Sequence, residues 1–199
     1  MLPLSLHFSL TAYGQFIGRK TNKAFHKIAR QIFERDKHTC QFCGFQTKKF
    51  QEVVNIDHNY KHNTLDNMTT ACCFCAQCHF MESVGEKGYG GGTLLYFPEI
   101  TQNELNALSH VLFFSINTGS SQKESAQILI QSFRTRANTV NKVIGEGMSD
   151  PAALGQLLLD YTSNKTDPAV DALLSQLRLL PSRGRFTKQI EYWAKHAGA

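Results

Sequence analysis

The sequence predicts an α+β protein, in which a small metal-stapled unit of two short strands and a helix is followed by a helical C-terminal half. Three observations predict this fold class. Cysteines recur in C-x-x-C pairs in the first half of the chain, the residues between the pairs read as short strands, and helix-capping signals recur after Pro98. The chain has 199 residues, of which 42% are apolar and 19% charged. It can therefore bury a core of ordinary size.

The N-terminal segment is predicted to contain a strand and a helix. Residues 2–10 alternate between apolar and polar side chains, which is the period of a half-buried strand. Gly14 and Gly18 then predict turns, and Asn22 predicts the cap of a helix over residues 23–36. The apolar residues of this helix form one stripe, so we expect one of its faces to pack on a core.

The beginning of the chain is not expected to be a secretory signal. It has no basic segment before a long apolar run, and no stretch approaches about 18 consecutive apolar residues. We therefore expect a cytoplasmic protein. In a reducing compartment, clustered C-x-x-C pairs are typical of metal ligands rather than of disulfides.

The cysteine-rich part is predicted to be a knuckle, a hairpin and a helix around one metal ion. Residues 40–44 predict a tight knuckle, residues 50–56 and 69–71 predict two short strands, and residues 74–84 predict a helix. The apolar core of so thin a unit is marginal, so bound zinc is expected to make it fold.

A Gly-rich segment at residues 85–92 predicts a linker, because it lacks the spacing of a phosphate-binding loop. Residues 93–97 predict a further strand, which ends at Pro98. We therefore expect a zinc-binding domain over residues 1–98 and a helical region over residues 99–199 packed on it. One continuous domain is the alternative.

The C-terminal half is predicted to be helical throughout. Capping boxes at Thr101 with Glu104 and at Ser121 with Glu124 predict the first two helices, and Asp150 before a proline predicts another. These helices contain no cluster of His, Asp or Glu that suggests chemistry. Their predicted role is core packing together with an interaction surface.

Five of the six cysteines have the spacings of zinc ligands. Cys40 and Cys43 form one half of the predicted site. The second half has two possible registers, either Cys72 with Cys75 or Cys75 with Cys78. We therefore expect one structural Zn²⁺ on Cys40, Cys43 and Cys75, with either Cys72 or Cys78 as the fourth ligand.

Positive charge is concentrated between Arg19 and Lys49, where nine Lys or Arg residues face only two acids. Such a segment suits nucleic acid, an acidic membrane face or an acidic protein partner. A solvated helix face explains it equally well, so nucleic-acid binding is not the favoured prediction.

The residues around the cysteines resemble the HNH endonuclease family, which has a treble-clef ββα-metal fold. The resemblance covers about residues 25–85 and rests on the knuckle, an Asp-His pair, an Asn and a terminal His, namely Cys40-Gln-Phe-Cys43-Gly44, Asp57-His58, Asn67-Met-Thr-Thr and Cys75-x-x-Cys78-His79. It implies that His58 would act as the general base, oriented by Asn67. Asp57 and His79 would hold a divalent cation at the scissile phosphate.

Two departures from the family pattern favour a degenerate, non-catalytic site. Only eight residues separate His58 from Asn67, without the usual Pro and Gly-Gly. If Cys72 and Cys75 bind zinc, the family spacing places the terminal His at Ala76. If Cys75 and Cys78 bind zinc, three more residues than in the family pattern separate Asn67 from the cysteine pair. The favoured role of the Asp-His pair is structural. Metal-dependent cleavage of DNA with His58 as the base is the alternative.

A closer resemblance, which spans the whole chain, is to a zinc-binding component of bacterial Dot/Icm (type IVB) secretion systems. It is carried by the basic helix before Cys40, by Thr-Ala-Cys-Cys-Phe-Cys-Ala-Gln-Cys at residues 70–78, and by the helical remainder. The resemblance implies a cytoplasmic protein without nuclease activity. It further implies docking on the C-terminal tail of the coupling ATPase DotL, beside DotM and the IcmS–IcmW adaptor, in support of effector delivery.

Overall fold

The computed structural model describes residues 1–85, 89–161 and 168–196, and within them it contains helices and two pairs of short strands. In chain order the elements are α1 Ala12–Arg19, α2 Lys23–Arg35, β1 Gln51–Asn55, β2 Met68–Cys72, α3 Cys73–Ala76, β3 Gly92–Tyr96, α4 Gln102–Thr118, α5 Lys123–Thr135, α6 Ala137–Val143, α7 Pro151–Tyr161, α8 Pro168–Leu174, β4 Leu177–Pro181 and α9 Thr187–His196. The predicted α+β class is confirmed. Within these residues, none of the helices combines the length and apolar character that crossing a membrane requires.

The N-terminal segment is extended but is not a strand, so the strand predicted over residues 2–10 is wrong. It pairs with no sheet and instead forms hydrogen bonds to the knuckle, to residues 78 and 81 and to Asn103 of α4. The amide of Leu2 donates to the carbonyl of Gln41 at 2.7 Å, and that of His7 donates to the carbonyl of Cys78 at 2.8 Å. Alternation of apolar and polar residues indicates that one side of a segment is buried. It does not show whether the segment pairs with a neighbouring strand, so the same pattern occurs in a segment outside any sheet.

Two helices follow this segment. α1 occupies the region where Gly14 and Gly18 predicted turns, and this prediction is wrong because Phe16 and the other core-facing side chains of α1 stabilise the helix. α2 confirms the helix predicted over residues 23–36. The side chain of Asn22 caps it by accepting a hydrogen bond from the amide of Ala24 at 2.8 Å.

The knuckle and hairpin form as predicted. β1 and β2 pair antiparallel, with Val53 opposite Thr70. In the knuckle the amide of Gly44 donates to the carbonyl of Cys40 at 2.9 Å, and Gly44 adopts a φ of 77°, which favours glycine. The helix predicted over residues 74–84 is shorter than expected. α3 gives way to two 3₁₀ turns, Gln77–His79 and Met81–Ser83.

A second two-stranded sheet joins the two halves of the chain. β3 pairs antiparallel with β4, with Leu94 opposite Leu179. β4 contradicts the prediction that all of the chain after Pro98 is helical. The side-chain amide of Gln102 in α4 bonds to both backbone groups of Leu179, at 2.8 and 2.9 Å, and so satisfies the free edge of β4. The division into residues 1–98 and 99–199 stays a prediction.

The capping signals of the C-terminal helices are confirmed in part. Thr101 and Glu104 form the predicted capping box of α4, and Asp150 accepts hydrogen bonds from the first amides of α7. The box predicted at Ser121 and Glu124 does not form, because α5 begins at Lys123. One cluster of buried residues runs from the N-terminal segment through the cysteines to α9.

Candidate metal centre

Four cysteine side chains meet in the interior of the protein. The Sγ atoms of Cys40, Cys43, Cys72 and Cys75 all lie within 4.8 Å of one another, and all four residues are buried. The Sγ atoms of Cys43 and Cys72 are 3.6 Å apart. All of these cysteines are free thiols. In residues 1–85, 89–161 and 168–196, no other three or more Cys, His, Asp or Glu side chains bring their ligand atoms this close.

Three local structures position the four cysteines. Cys40 and Cys43 open and close the knuckle, which is held against β2 by a hydrogen bond from the amide of Gln41 to the carbonyl of Thr70. Cys72 is the last residue of β2, and Cys75 lies in the single turn of α3. The change from strand to helix at this point turns both side chains toward the knuckle.

Cys78 lies outside the four-cysteine cluster. Its Sγ atom is 3.4 Å from the carbonyl oxygen of Phe74 and 3.9 Å from the Nδ2 atom of Asn106. Burial raises the pKa of the Cys78 thiol to about 12, although the bond from Asn106 opposes this shift. Of the two registers that the sequence left open, the structure brings Cys72 and Cys75 to the knuckle.

The donor set fits one tetrahedral ion. Four thiolates at metal–sulfur distances of about 2.3 Å have their sulfurs about 3.8 Å apart, which is close to the 3.6 Å between Cys43 and Cys72. Burial raises the pKa of the Cys72 and Cys75 thiols, while hydrogen bonds from Cys43 and the other thiols lower the pKa of Cys40. A bound cation would offset the cost of ionising all four. These residues could therefore hold a metal ion.

Two polar residues of α4 support the cluster from the other half of the chain. Asn106 donates from Nδ2 to the Sγ atom of Cys75 at 3.2 Å, and the Nε2 atom of His110 lies 3.3 Å from the Sγ atom of Cys72. Burial lowers the pKa of His110 to about 3, so its ring is neutral and Nε2–H can donate to a thiolate. Such bonds orient metal ligands and stabilise their charge.

The sequence reasoning missed these two residues, because it assigned the C-terminal helices to core packing and an interaction surface and placed no part of the metal centre on them. A signal was present. Gln102, Asn106 and His110 recur every four residues and so share one face of α4. All three are buried. A polar row of this kind, beside an apolar row, indicates a helix that faces a polar site.

The residues predicted from the HNH resemblance fall into two separate pairs. The Nδ2 atom of Asn67 donates to Asp57 at 2.8 Å, and the other carboxylate oxygen of Asp57 lies 2.8 Å from Nδ1 of His62. His58 turns away from this pair, and its Nδ1 atom lies 3.1 Å from the Nδ1 atom of His79. The histidine that contacts Asp57 is therefore His62 and not the neighbouring His58.

Burial gives the histidine pair an unusual environment. His58 adopts a left-handed backbone with a φ of 58°, which is uncommon for a residue other than glycine. Its ring stacks on that of His7 at 3.9 Å between centroids. Burial, and after it the neighbouring histidines, lowers the pKa of His79 well below its usual value. Burial likewise lowers the pKa of His7 to about 4.

The stability of the protein is expected to fall as the pH decreases from 6.5 to about 4. In this window the unfolded chain takes up a proton at His7 that the folded chain excludes, since the folded pKa is about 4 and the ordinary value is 6.5. The effect should be at most about 1 kcal/mol per pH unit, because His7 is partly exposed and solvent screens its charge. Urea unfolding at a series of pH values measures it.

His7→Phe is the matched variant, because phenylalanine keeps a ring over His58 but cannot bind a proton. It should reduce the dependence of the unfolding free energy on pH. Loss of a cysteine-bound metal in acid would act equally in both proteins, and their metal content can be compared directly. Identical slopes for the wild type and His7→Phe would contradict this expectation.

The basic segment between Arg19 and Lys49 is not one continuous cationic face. Arg19 is buried, with its guanidinium 4.8 Å from the centre of the Tyr60 ring. Lys20 forms an ion pair with Glu52 at 2.7 Å. The other cations of the segment are exposed and lie in two places, on α2 and around the knuckle, namely Lys23, Lys27, Arg30 and Arg35, and Lys37, Lys48 and Lys49. Part of the predicted basic surface is therefore used for internal contacts.

Comparison with known proteins gives one informative result. No family model matches the chain. It is 50% identical over 194 residues to the type 4 apparatus protein DotN of Legionella pneumophila, and the match covers 98% of this chain and 90% of that protein. Identity at this level over nearly the full length of both proteins shows that the chain belongs to the DotN family.

Proposed function

We propose that the protein is a non-catalytic, zinc-stabilised structural subunit of a type IVB secretion apparatus. In this proposal it binds the C-terminal tail of the coupling ATPase DotL on the cytoplasmic side of the inner membrane, near DotM and IcmS–IcmW, and supports effector translocation. Its relationship to DotN supports the assignment to the apparatus. The observation that carries the structural role is the buried cluster of four thiols.

Zinc is the ion that best suits this cluster. Four closely spaced thiolates form the closed tetrahedral set of structural zinc sites, whereas catalytic zinc sites keep a position for water or substrate. The cluster is also covered on one side by Asn106 and His110 of α4. A site of this kind stabilises the fold and leaves no coordination position on the metal for water or substrate.

A catalytic role is disfavoured by the positions of the residues that an HNH nuclease would need. With Cys72 and Cys75 at the cluster, the family's terminal His position falls on Ala76, which is 1% exposed and cannot bind a cation. Asp57 is bonded to Asn67 and His62. The contact between His58 and His79 is the one observation that favours the nuclease alternative.

We expect no metal-dependent nicking of supercoiled plasmid by the zinc-loaded protein with added Mg²⁺, Mn²⁺ or Ni²⁺. The variant for comparison is His58→Asn, because asparagine tolerates the left-handed backbone at this position. Nicking by the wild type that is lost in His58→Asn, with zinc content and thermal stability unchanged, would establish the nuclease instead.

Binding of the coupling ATPase tail tests the proposed role directly. Calorimetric titration of the zinc-loaded protein with a recombinant tail should give saturable binding, and a scrambled tail of the same composition should give none. Absence of binding to the authentic tail would contradict the proposal.

A further inference from the structure

A large groove lies beside the four-cysteine cluster, on the side that faces α4 and α9. It has a volume of about 1050 Å³ and lies between the residues that follow the knuckle, α4 and α9. This volume is at the upper end of the range for small-molecule pockets. We call it the aromatic groove and define it by Phe45, His110, Val111, Phe114 and Trp193.

The floor of the aromatic groove is a stack of rings. His110 lies between Phe45 and Phe74, with centroid distances of 3.7 and 4.2 Å and interplanar angles of 5° and 18°. Trp193 meets the edge of the same stack, 5.0 Å from His110. Rings packed in this way have few alternative rotamers, so the floor is a preformed apolar surface.

The floor is connected to the four cysteines through His110. His110 is one of the residues that line the groove, and its Nε2 atom lies 3.3 Å from the Sγ atom of Cys72. Loss of the metal would therefore disturb the floor of the groove as well as the knuckle.

The α4 wall of the groove exposes apolar side chains. Val111 is 60% exposed and Phe114 is 38% exposed. They are three residues apart and so lie on the same face of α4. A helix face that meets only water normally carries polar residues, so this wall is suited to contact with another apolar surface.

The lysines that line the groove give it a positive charge. Among the described residues that line it, Lys37 and Lys48 are basic and none is acidic. Both lysines are exposed. An occupant that presents carboxylates beside its apolar side chains would complement this rim.

We propose that the aromatic groove binds an acidic amphipathic segment of a protein partner, and this inference rests on the proposed function as a subunit that recognises a protein tail. Apolar side chains of the segment pack on Val111, Phe114 and the ring stack, and its carboxylates face Lys37 and Lys48. This is recognition of an amphipathic segment in an apolar groove. Nucleic acid is a poorer occupant, because two lysines beside apolar walls neutralise few phosphates.

A second copy of this chain is also a poorer occupant. The chain carries a formal net charge of +5, so two copies repel each other, and the groove of each would need an acidic apolar segment from the other.

The test uses the full-length zinc-loaded protein and fluorescently labelled peptides that tile the coupling ATPase tail. Fluorescence anisotropy gives the dissociation constant of each peptide. The chain contains one tryptophan, Trp193, which lines the groove, so its emission reports occupancy at this place. We expect the peptide that binds most tightly to be acidic and to change the emission of Trp193.

Val111→Glu should weaken the binding of that peptide about tenfold or more, because it places a charge on the apolar wall. Ile128→Glu on α5 is the matched control, since Ile128 is 71% exposed and does not line the groove. It should leave affinity unchanged. Lys48→Glu should weaken binding less, and a peptide with lysine in place of its acidic residues should bind Lys48→Glu better than the wild type.

Tight binding that Val111→Glu does not weaken would overturn the groove assignment and leave the proposed function intact. Failure of every tail peptide to bind the wild type would contradict both. Dimerisation of the wild type in sedimentation experiments that Val111→Glu abolishes would assign the groove to a second copy and overturn the proposal.

Discussion

Cys72→Ser is expected to abolish the proposed zinc binding and to lower the free energy of unfolding by about 5 kcal/mol or more, since zinc contributes on the order of 10 kcal/mol to small zinc units. The expected loss is smaller than about 10 kcal/mol because the surrounding core extends into α4 and α9 and still stabilises the chain without zinc. Cys72 is also the last residue of β2, and its Sγ atom contacts the Nε2 atom of His110, so the substitution affects these contacts as well. Metal content by mass spectrometry and chemical denaturation of the purified variant measure the two effects.

Cys78→Ser is the matched control, because it makes the same chemical change in an equally buried cysteine six residues away. Cys78 lies outside the four-cysteine cluster, so this variant should keep its metal. Its loss of stability should be about 1–3 kcal/mol, the cost of burying a hydroxyl group with imperfect partners. Retention of metal by Cys72→Ser together with its loss from Cys78→Ser would identify the other register.

Phe74→Ala is expected to lower the free energy of unfolding by about 3–5 kcal/mol, as for other large-to-small changes at fully buried aromatic residues. Phe74 is 0% exposed. Its ring contacts those of His110 at 4.2 Å, Phe186 at 4.9 Å and Trp193 at 5.6 Å. It therefore links the cysteine cluster to α4 and α9, and a cavity at this position would weaken both halves of the protein. Urea denaturation measures the change.

Phe114→Ala is the control for this substitution. Phe114 is 38% exposed, so truncation of its ring should cost about 1 kcal/mol or less. One unfolding transition is expected for both variants, because both halves of the chain contribute to a single buried cluster. A loss for Phe74→Ala no larger than that for Phe114→Ala would contradict the role given to this ring.

The features predicted correctly from the sequence are those that neighbouring residues determine. The knuckle depends on the C-x-x-C spacing and on the φ of 77° at Gly44. α2 begins at the side-chain cap of Asn22, and α4 begins at the box of Thr101 and Glu104. In each case the residues that form the contact lie within a few positions of each other, so their spacing alone specifies the geometry.

The features that the sequence could not provide depend on distant partners. Residues 177–181 are a short segment with three leucines, a pattern that a helix and a buried strand share. Their partner β3 lies about 80 residues earlier in the chain. The fourth cysteine was undecided because Cys72 and Cys78 both have the correct spacing from Cys75. Only the turn from β2 into α3 distinguishes them. His110 contacts Cys72 only because α4 packs against the cysteine cluster, a contact between residues 38 positions apart.

The X-ray absorption spectrum of the zinc-loaded protein tests the central claim most directly, which is that four cysteine thiolates close the metal site. The predicted result is a first shell of four sulfur atoms at about 2.3 Å, unchanged in Cys78→Ser. A shell with nitrogen or oxygen atoms at about 2.0–2.1 Å would contradict the claim, because it would mean a histidine ligand or an open position on the metal.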